Sequence, residues 1–458
     1  MPAAINIIAN ELIAKIRALA PKYDRHGPKI YRFEADIDDI LIFDWLICQG
    51  RYPKFYFSNR KNTSQLAALG IADMLTDRSC ADFNESISII QANLNTAEGA
   101  PRYFASIAFD KDGQSSPEWQ KFARFNFILP KFELRFENHK TTFAYNLMPK
   151  QGESLEEIIA NFQNSIMKLN FKNDYRPPPF TINPQDRVDQ PTQSQWNSNV
   201  SRAIESLNSD ELGKIVLARK TVLQSDTSVD APSLAKYLFS ESINTYDFYY
   251  QPDINIAFMG SSPECLFRKN NDNIYTEAIA GTCLTGDNDI QKRHYGNVLT
   301  NSAKDTQEHQ YVIDDINEAL NRICSEITAI DRRDIVSLSS LQHFRSRFSG
   351  KLKNNVNLAE IIQTLHPTAA VNGYQRKAAK AAIGKYEDFN RGLYAGPIGW
   401  LGKDTAEFAV AIRSALVQEN KIFLFAGAGI VHSSDPIKEW DEIEYKIKPF
   451  LKLLEHYG

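Results

Sequence analysis

The run FAGAGIVHSSDPIKEWDEIEYK, Phe425–Lys446, joins the end of an apolar strand, two closely spaced glycines and an acid-bearing helix. KIFLFAG, Lys421–Gly427, predicts the strand, and it leads into Gly427 and Gly429. Small residues there predict a tight turn or a place where backbone N–H groups approach an anion such as a carboxylate. The spacing is neither GxxxxGK[ST] nor GxGxxG. Asp435-Pro436 then supplies an N-cap and a first-turn proline. Beyond it Glu439, Glu442, Ile443, Lys446, Ile447 and Phe450 fall on one helical face.

Acids beside apolar residues have two readings. They are solvated and favoured by the helix N-terminal dipole, or they are buried and compensated by a cation. Further upstream, EHQYVIDDINEAL poses the same question. Glu308 is followed at four-residue steps by Val312, Ile316 and Leu320, so it extends an apolar stripe. Oxygen-only ligands without His or Cys nearby suit a hard ion such as Mg²⁺. The spacing leaves both readings open.

Three other polar residues interrupt apolar strands. Lys214 opens KIVLA on the face of Val216 and Ala218, where a lysine either snorkels to water or, desolvated, becomes a general base. Glu264 in GSSPECLF has apolar neighbours, and burial would suit it to general-acid work. Arg413 breaks EFAVAIRSALV and, if buried, needs an anion such as a substrate carboxylate or a structural partner. His343, Tyr394 and Glu277 are weaker candidates; the first two read equally as hydrogen-bonded core residues, and Glu277 as a strand-end cap.

The 458-residue chain is 43% hydrophobic, enough for a sizeable core. Its net charge of -4 argues against a broad nucleic-acid footprint or a cationic membrane surface. Cys48, Cys80, Cys265, Cys283 and Cys324 have no CxxC spacing and read as reduced thiols of a cytoplasmic protein. MPAAINIIANELIAKIRALA reads as an amphipathic helix, not a leader, and no apolar run has the length of a membrane span.

Strands are predicted in RYPKFYFS (Arg51–Ser58), PRYFASIAFD (Pro101–Asp110), Phe122–Met148, GKIVLARKTVL, INIAFMG, NIYTEAIAG, EFAVAIRSALV and KIFLFAG. Helices are expected over Glu153–Asn170, Ser194–Leu207, Asp289 to about Ile327 with a break allowed, Leu358–Leu365, Gln375–Gly384 and the C-terminus. Asn173–Gln193, rich in proline, reads as a linker or surface excursion. Strands and helices in large blocks predict α+β layers. The parts divide at the linker into a strand-rich 1–190 and a catalytic 194–456.

Together, KIVLAR, GSSPECLFRK, TEAIAGT, KDTQEHQYVIDDI, LHPTAAVNGY, NRGLYAGPIGW, EFAVAIRSA and the C-terminal run resemble the chorismate-utilising enzymes, and among them the isochorismate synthases of menaquinone type. The motifs stand in the family's order from about Trp196 to Phe450. The resemblance implies antiparallel sheets sandwiched with helices around a central active site. It implies Lys214 as the base that activates water and Glu264 as the acid for the departing 4-hydroxyl. It implies Glu308 and Glu442 as Mg²⁺ ligands with Glu439 beside them. Arg413 and Tyr394 would hold the enolpyruvyl carboxylate, Gly281, Thr282, Gly427 and Lys446 would contact substrate carboxylates, and His343 would lie near the ring. The expected partner is chorismate alone, with no nucleic acid, membrane or glutaminase subunit. Salicylate formation and a non-catalytic binding subunit are the alternatives the resemblance leaves. Two departures, Ala369 where proline is usual and Cys283-Leu284 where arginine-rich versions are common, bear on specificity.

Overall fold

In the computed structural model, residues 3–19, 29–38, 40–80, 82–113, 116–172, 175, 186–207, 212–286 and 288–457 are described. They form two sheets, one of twelve strands and one of nine, with helices packed against them. The strand pairings within both sheets are antiparallel, as the α+β reading predicts. Each sheet takes strands from both halves of the chain. Lys54–Ser58 pairs with Tyr246–Asp253 in the larger sheet, and Tyr103–Ile107 with Pro397–Leu401 in the smaller.

Aromatic side chains fill the space between the sheets. Phe55 of the larger sheet meets Phe104 of the smaller at 5.2 Å between ring centroids. Burying a ring of this size contributes about 1.5–3 kcal/mol. The Phe122–Met148 stretch resolves into Phe125–Leu129 in the smaller sheet and Phe132–Glu137 and Lys140–Leu147 in the larger. Pro130 stands at the crossover, where a missing N–H is harmless.

Several expectations need correction. The long helix does break, as its reading allowed: Asp289–Asn301 ends at Ser302, which caps a second helix, Ala303–Ile323, by accepting from the Asp305 N–H, so the helix stops short of Ile327. From Cys324 the chain is strand, Cys324–Ser337, paired with Leu341–Leu352; the β-branched residues in that segment favour pleated pairing over a continued helix. EFAVAIRSALV is two strands in different sheets, Thr405–Val410 and Ser414–Gln418. The glycines of FAGAG do not turn: the strand runs Lys421–Ile430, with Gly427 opposite Ala218 and Gly429 opposite Val216. Of the proposed linker, Val188–Gln190 is an edge strand on Lys220–Val222, and most of the remainder lies outside the described residues. No helix among the described residues is long and apolar enough to cross a membrane.

Candidate active site

The site forms where the chain passes from one sheet to the other. Ile256–Ser262 belongs to the larger sheet and Cys265–Asn270 to the smaller, so Pro263 and Glu264 are the joint. Thr405–Val410 and Ser414–Gln418 cross in the opposite direction through Ala411–Arg413. The joints are hydrogen-bonded to each other: Val410 N–H donates to the Glu264 carbonyl and Ser261 N–H to that of Arg413, both at 3.1 Å. Arg413 takes a left-handed φ of 52°, a conformation costing a non-glycine residue about 1–2 kcal/mol. Breaking the strand there frees its guanidinium from the pleat.

Glu264, Gly281, Thr282, Glu308, His343, Tyr394, Arg413, Gly427 and Lys446 all line one cleft. Lys214 and Glu442 stand directly behind them, Lys214 paired with Glu308 and Glu442 bonded to Thr282 and Lys446, while Glu439 lies one step further off, paired with Lys304. Lys214 is 0% exposed, so it does not snorkel. Its Nζ is 3.1 Å from Glu308 Oε1, out of line for a hydrogen bond, so the contact is Coulombic. The helical stripe is as its spacing predicts: Glu308, Val312, Ile316 and Leu320 are all buried.

Gly429 explains how this pair fits. A methyl on it would lie 2.1 Å from Glu308 Oε1 and 2.8 Å from Lys214 Cε. Gly427 serves Tyr394 similarly, with an added methyl 3.0 Å from the hydroxyl. The glycines thus leave one stretch of strand bare for long polar side chains. The tight turn that their spacing also allowed does not form.

Burial raises the Glu264 carboxyl to about 8; a hydrogen bond from Thr368 Oγ1 at 3.1 Å and the Lys214 charge oppose the rise without cancelling it. The acid is therefore protonated at neutral pH. His343 is pushed down to about 3 by burial and by the nearby Arg413 and Lys446. Its tautomer follows from its partners: Arg413 Nη2 can only donate to Nε2, at 3.0 Å, and the Gly281 carbonyl can only accept from Nδ1–H, at 2.9 Å. Neutral His343 thus orients Arg413. Burial also lowers the Arg413 guanidinium to about 10. No carboxylate forms an ion pair with it among the described residues, which leaves a cation facing the cleft. Gly281 has φ of 70° at a bulge in its strand, placing the Thr282 hydroxyl 3.3 Å from both His343 Nδ1 and Glu442 Oε1.

The C-terminal acids are buried rather than solvated. Asp435 caps the helix Pro436–Tyr457, accepting from the Ile437 and Lys438 N–H groups. Glu439 is 1% exposed. Lys304 Nζ stands 2.5 Å from its Oε1, yet neither carboxylate oxygen has hydrogen-bond alignment. Burial and the neighbouring Glu442 raise Glu439. For Glu442, burial is outweighed by Lys446, 2.5 Å away, and by Lys304, so that carboxylate is held down. Lys446 also donates to the Gly427 carbonyl at 2.9 Å.

Each acid thus has one lysine: Glu308 with Lys214, Glu439 with Lys304, Glu442 with Lys446. Among the described residues no three-ligand metal geometry is preformed. The donor chemistry nevertheless fits a hard divalent ion: carboxylate oxygens only, with both Glu439 oxygens buried and unaligned to any donor. Lys304 and Thr368 were not singled out from sequence. Lys304 stands in the KDTQEH motif four residues before Glu308, a usable signal; Thr368 meets Glu264 only through the tertiary fold.

The sequence profile described as chorismate binding enzyme matches residues 16–455. The chain belongs to the chorismate-binding enzymes. Similar members include isochorismate synthase 2, chloroplastic, of Arabidopsis thaliana, 30% identical over 97% of this chain and 84% of the relative. Isochorismate synthase MenF of Pasteurella multocida is 29% identical over 98% of both chains. The solved structure of MenF, the menaquinone-specific isochorismate synthase from Escherichia coli, superposes with a TM-score of 0.83 at 29% identity. It covers 97% of this chain and 99% of that one. In this chorismate-binding enzyme, matched residues extend well into the N-terminal half, which carried none of the motifs quoted above.

Proposed function

We propose that the chain is an isochorismate synthase, interconverting chorismate and isochorismate in menaquinone biosynthesis. The observation that carries this reading is a buried lysine paired behind the cleft with Glu308, at a site whose lining includes the buried Glu264, raised to about 8 by burial. Nearly full-length similarity to the two MenF proteins supports it. Arg413, held by neutral His343, takes the enolpyruvyl carboxylate, with Tyr394 beside it. Lys446, Gly281, Thr282 and Gly427 face the remaining substrate carboxylate. Lys214 first loses its ammonium proton to solvent and then, as the free amine, takes a proton from the water whose oxygen bonds to C2. Glu264 gives its proton to the 4-hydroxyl, which leaves as water while the ring double bonds shift. Proton exchange with solvent then resets the two side chains.

Glu308, Glu439 and Glu442 would hold Mg²⁺. When bound, it supplies positioning and charge neutralisation for the ring carboxylate. We further propose a cytoplasmic enzyme working without a glutaminase subunit, in keeping with five free cysteines. The test is incubation of purified protein with chorismate and Mg²⁺, followed by chromatography. Isochorismate as sole product is expected. Salicylate with pyruvate, or unchanged chorismate, would overturn the assignment.

A further inference from the structure

The two peptide groups flanking Glu264 are both held by side chains that do not line the cleft. Glu277 lies within the strand Asn273–Leu284 of the smaller sheet, not at its end, and is buried. Its Oε1 accepts the Cys265 N–H at 2.9 Å. Arg60 comes from the turn between Lys54–Ser58 and Ser64–Leu69 of the larger sheet. Arg60 Nη2 donates to the Pro263 carbonyl, and its two terminal nitrogens form a fork onto Glu277, with Nη1 2.9 Å from Oε2. The Arg60 guanidinium lies over the Tyr246 ring, 5.0 Å from its centroid. The Tyr275 hydroxyl donates to Glu277 Oε2 at 3.3 Å. Pro263 and Glu264 line the cleft, whereas Arg60 and Glu277 do not.

We propose that Arg60 and Glu277 are positioning residues for the general acid, pinning the peptides before and after Glu264 and presenting it with a neutralised charge pair. The inference rests on the reading of Glu264 as the acid. It also gives the strand-rich part before residue 190 a part in the chemistry, through Arg60. The joint has only part of a ladder: Val410 N–H holds the Glu264 carbonyl and the Ser262 hydroxyl accepts the Glu264 N–H, both at 3.1 Å, but the Pro263 carbonyl and the Cys265 N–H are left to side chains. The fork supplies what the ladder does not: one side chain from each sheet, each taking one backbone group of the joint. Bidentate geometry fixes direction as well as distance, so the Glu264 carboxyl points to the same spot in every turnover.

The charges act too. Glu264 is faced by Lys214, Arg60, Glu277 and Tyr394, with Thr368 as its hydrogen-bond donor. Arg60 and Lys214 favour the ionised acid, and Glu277 favours the protonated one. Removing Glu277 alone would leave the Arg60 cation beside Glu264 without its counter-charge and let the Glu264 proton go at lower pH. Removing Arg60 alone would do the reverse.

The experiment measures kcat and KM against pH, with chorismate and Mg²⁺, for wild type, E277Q, R60Q, R60K and the double variant R60Q/E277Q. In E277Q the alkaline limb should move down by about half a pH unit or more, and in R60Q it should move up. In the double variant it should return towards the wild-type position. In all four variants kcat should fall about tenfold or more while KM stays within about twofold, because general-acid efficiency is lost and substrate contacts are not. R60K keeps the charge but not the fork, so its limb should stay in place with kcat reduced. Limbs unmoved in both E277Q and R60Q, or wild-type kcat in R60K, would overturn the proposal. If R60Q and E277Q do not fold, R60K alone decides. E264Q separates the two readings: full turnover in E264Q removes Glu264 as acid, whatever the clamp variants do.

Discussion

Gly429→Ala is a one-methyl test of how the site is built. Gly429 is not among the residues with left-handed φ, so alanine meets no backbone penalty and any effect is steric. The added Cβ would lie 2.1 Å from Glu308 Oε1 and 2.8 Å from Glu308 Cδ and Lys214 Cε. Ordinary carbon contacts sit at about 3.5–4.0 Å, so the Glu308 carboxylate must retreat by roughly an ångström or more. Lys214, fully buried beside it, has little room to follow. Misplacement on that scale costs about a hundredfold in rate, or about 2.7 kcal/mol of transition-state stabilisation. Overpacking should also lower stability by about 1–3 kcal/mol. The assay is kcat/KM for isochorismate formation, with urea denaturation to read stability. Gly427→Ala is the internal control. Its methyl would meet the Tyr394 hydroxyl at 3.0 Å, a milder contact that should cost less than about tenfold. G429A retaining more than half of wild-type kcat/KM would refute the claim that this glycine makes room for the Glu308–Lys214 pair.

Lys214→Ala should cut turnover by about 10²–10⁴-fold while chorismate still binds, as read by calorimetry; near-normal turnover would remove Lys214 from the base role. Because Glu264 must be protonated to act, kcat/KM should fall as pH rises through about 8, a limb that E264Q should abolish along with most activity. The same raised pKa contributes stability that is fully present below the ordinary carboxyl value of 4.5 and lost as pH rises through about 8. Arg413→Ala should weaken chorismate binding about 10- to 100-fold but change folding stability by less than about 1 kcal/mol, since no ion pair is lost. Ala369→Pro should destabilise by about 1–3 kcal/mol, because the Ala369 N–H donates to buried Asp315 Oδ2 at 2.9 Å and proline has none; an unchanged urea midpoint would show that this bond is dispensable.

Much of the secondary structure is legible locally. Leu358–Leu365 stands as its periodicity predicts, and Asp435 caps the C-terminal helix as its side chain announces. What periodicity does not carry is which sheet a strand joins. EFAVAIRSALV reads as one apolar run because each half is buried almost continuously in its own sheet, and the break at Arg413 is a backbone event that pattern cannot register. The Cys324–Ser337 strand is similarly hidden behind a helix whose stripe ends only at Ile323.

The sequence by itself determined the order of the motifs, the acids on two apolar helix faces, the lysine and arginine set in strands, and through them the family. The tertiary structure alone decided which reading of each acid is right. Glu439 was a solvated first-turn acid or a buried one until the helix Pro436–Tyr457 was laid on the Lys421–Ile430 strand and Lys304 arrived beside it. It decided equally that Gly429 is a gap rather than a turn, and that Arg60 reaches Glu277 across 217 residues of chain. The reason is that burial and charge pairing are properties of neighbours in space, and antiparallel pairing between distant strands chooses those neighbours through contacts that no local window contains.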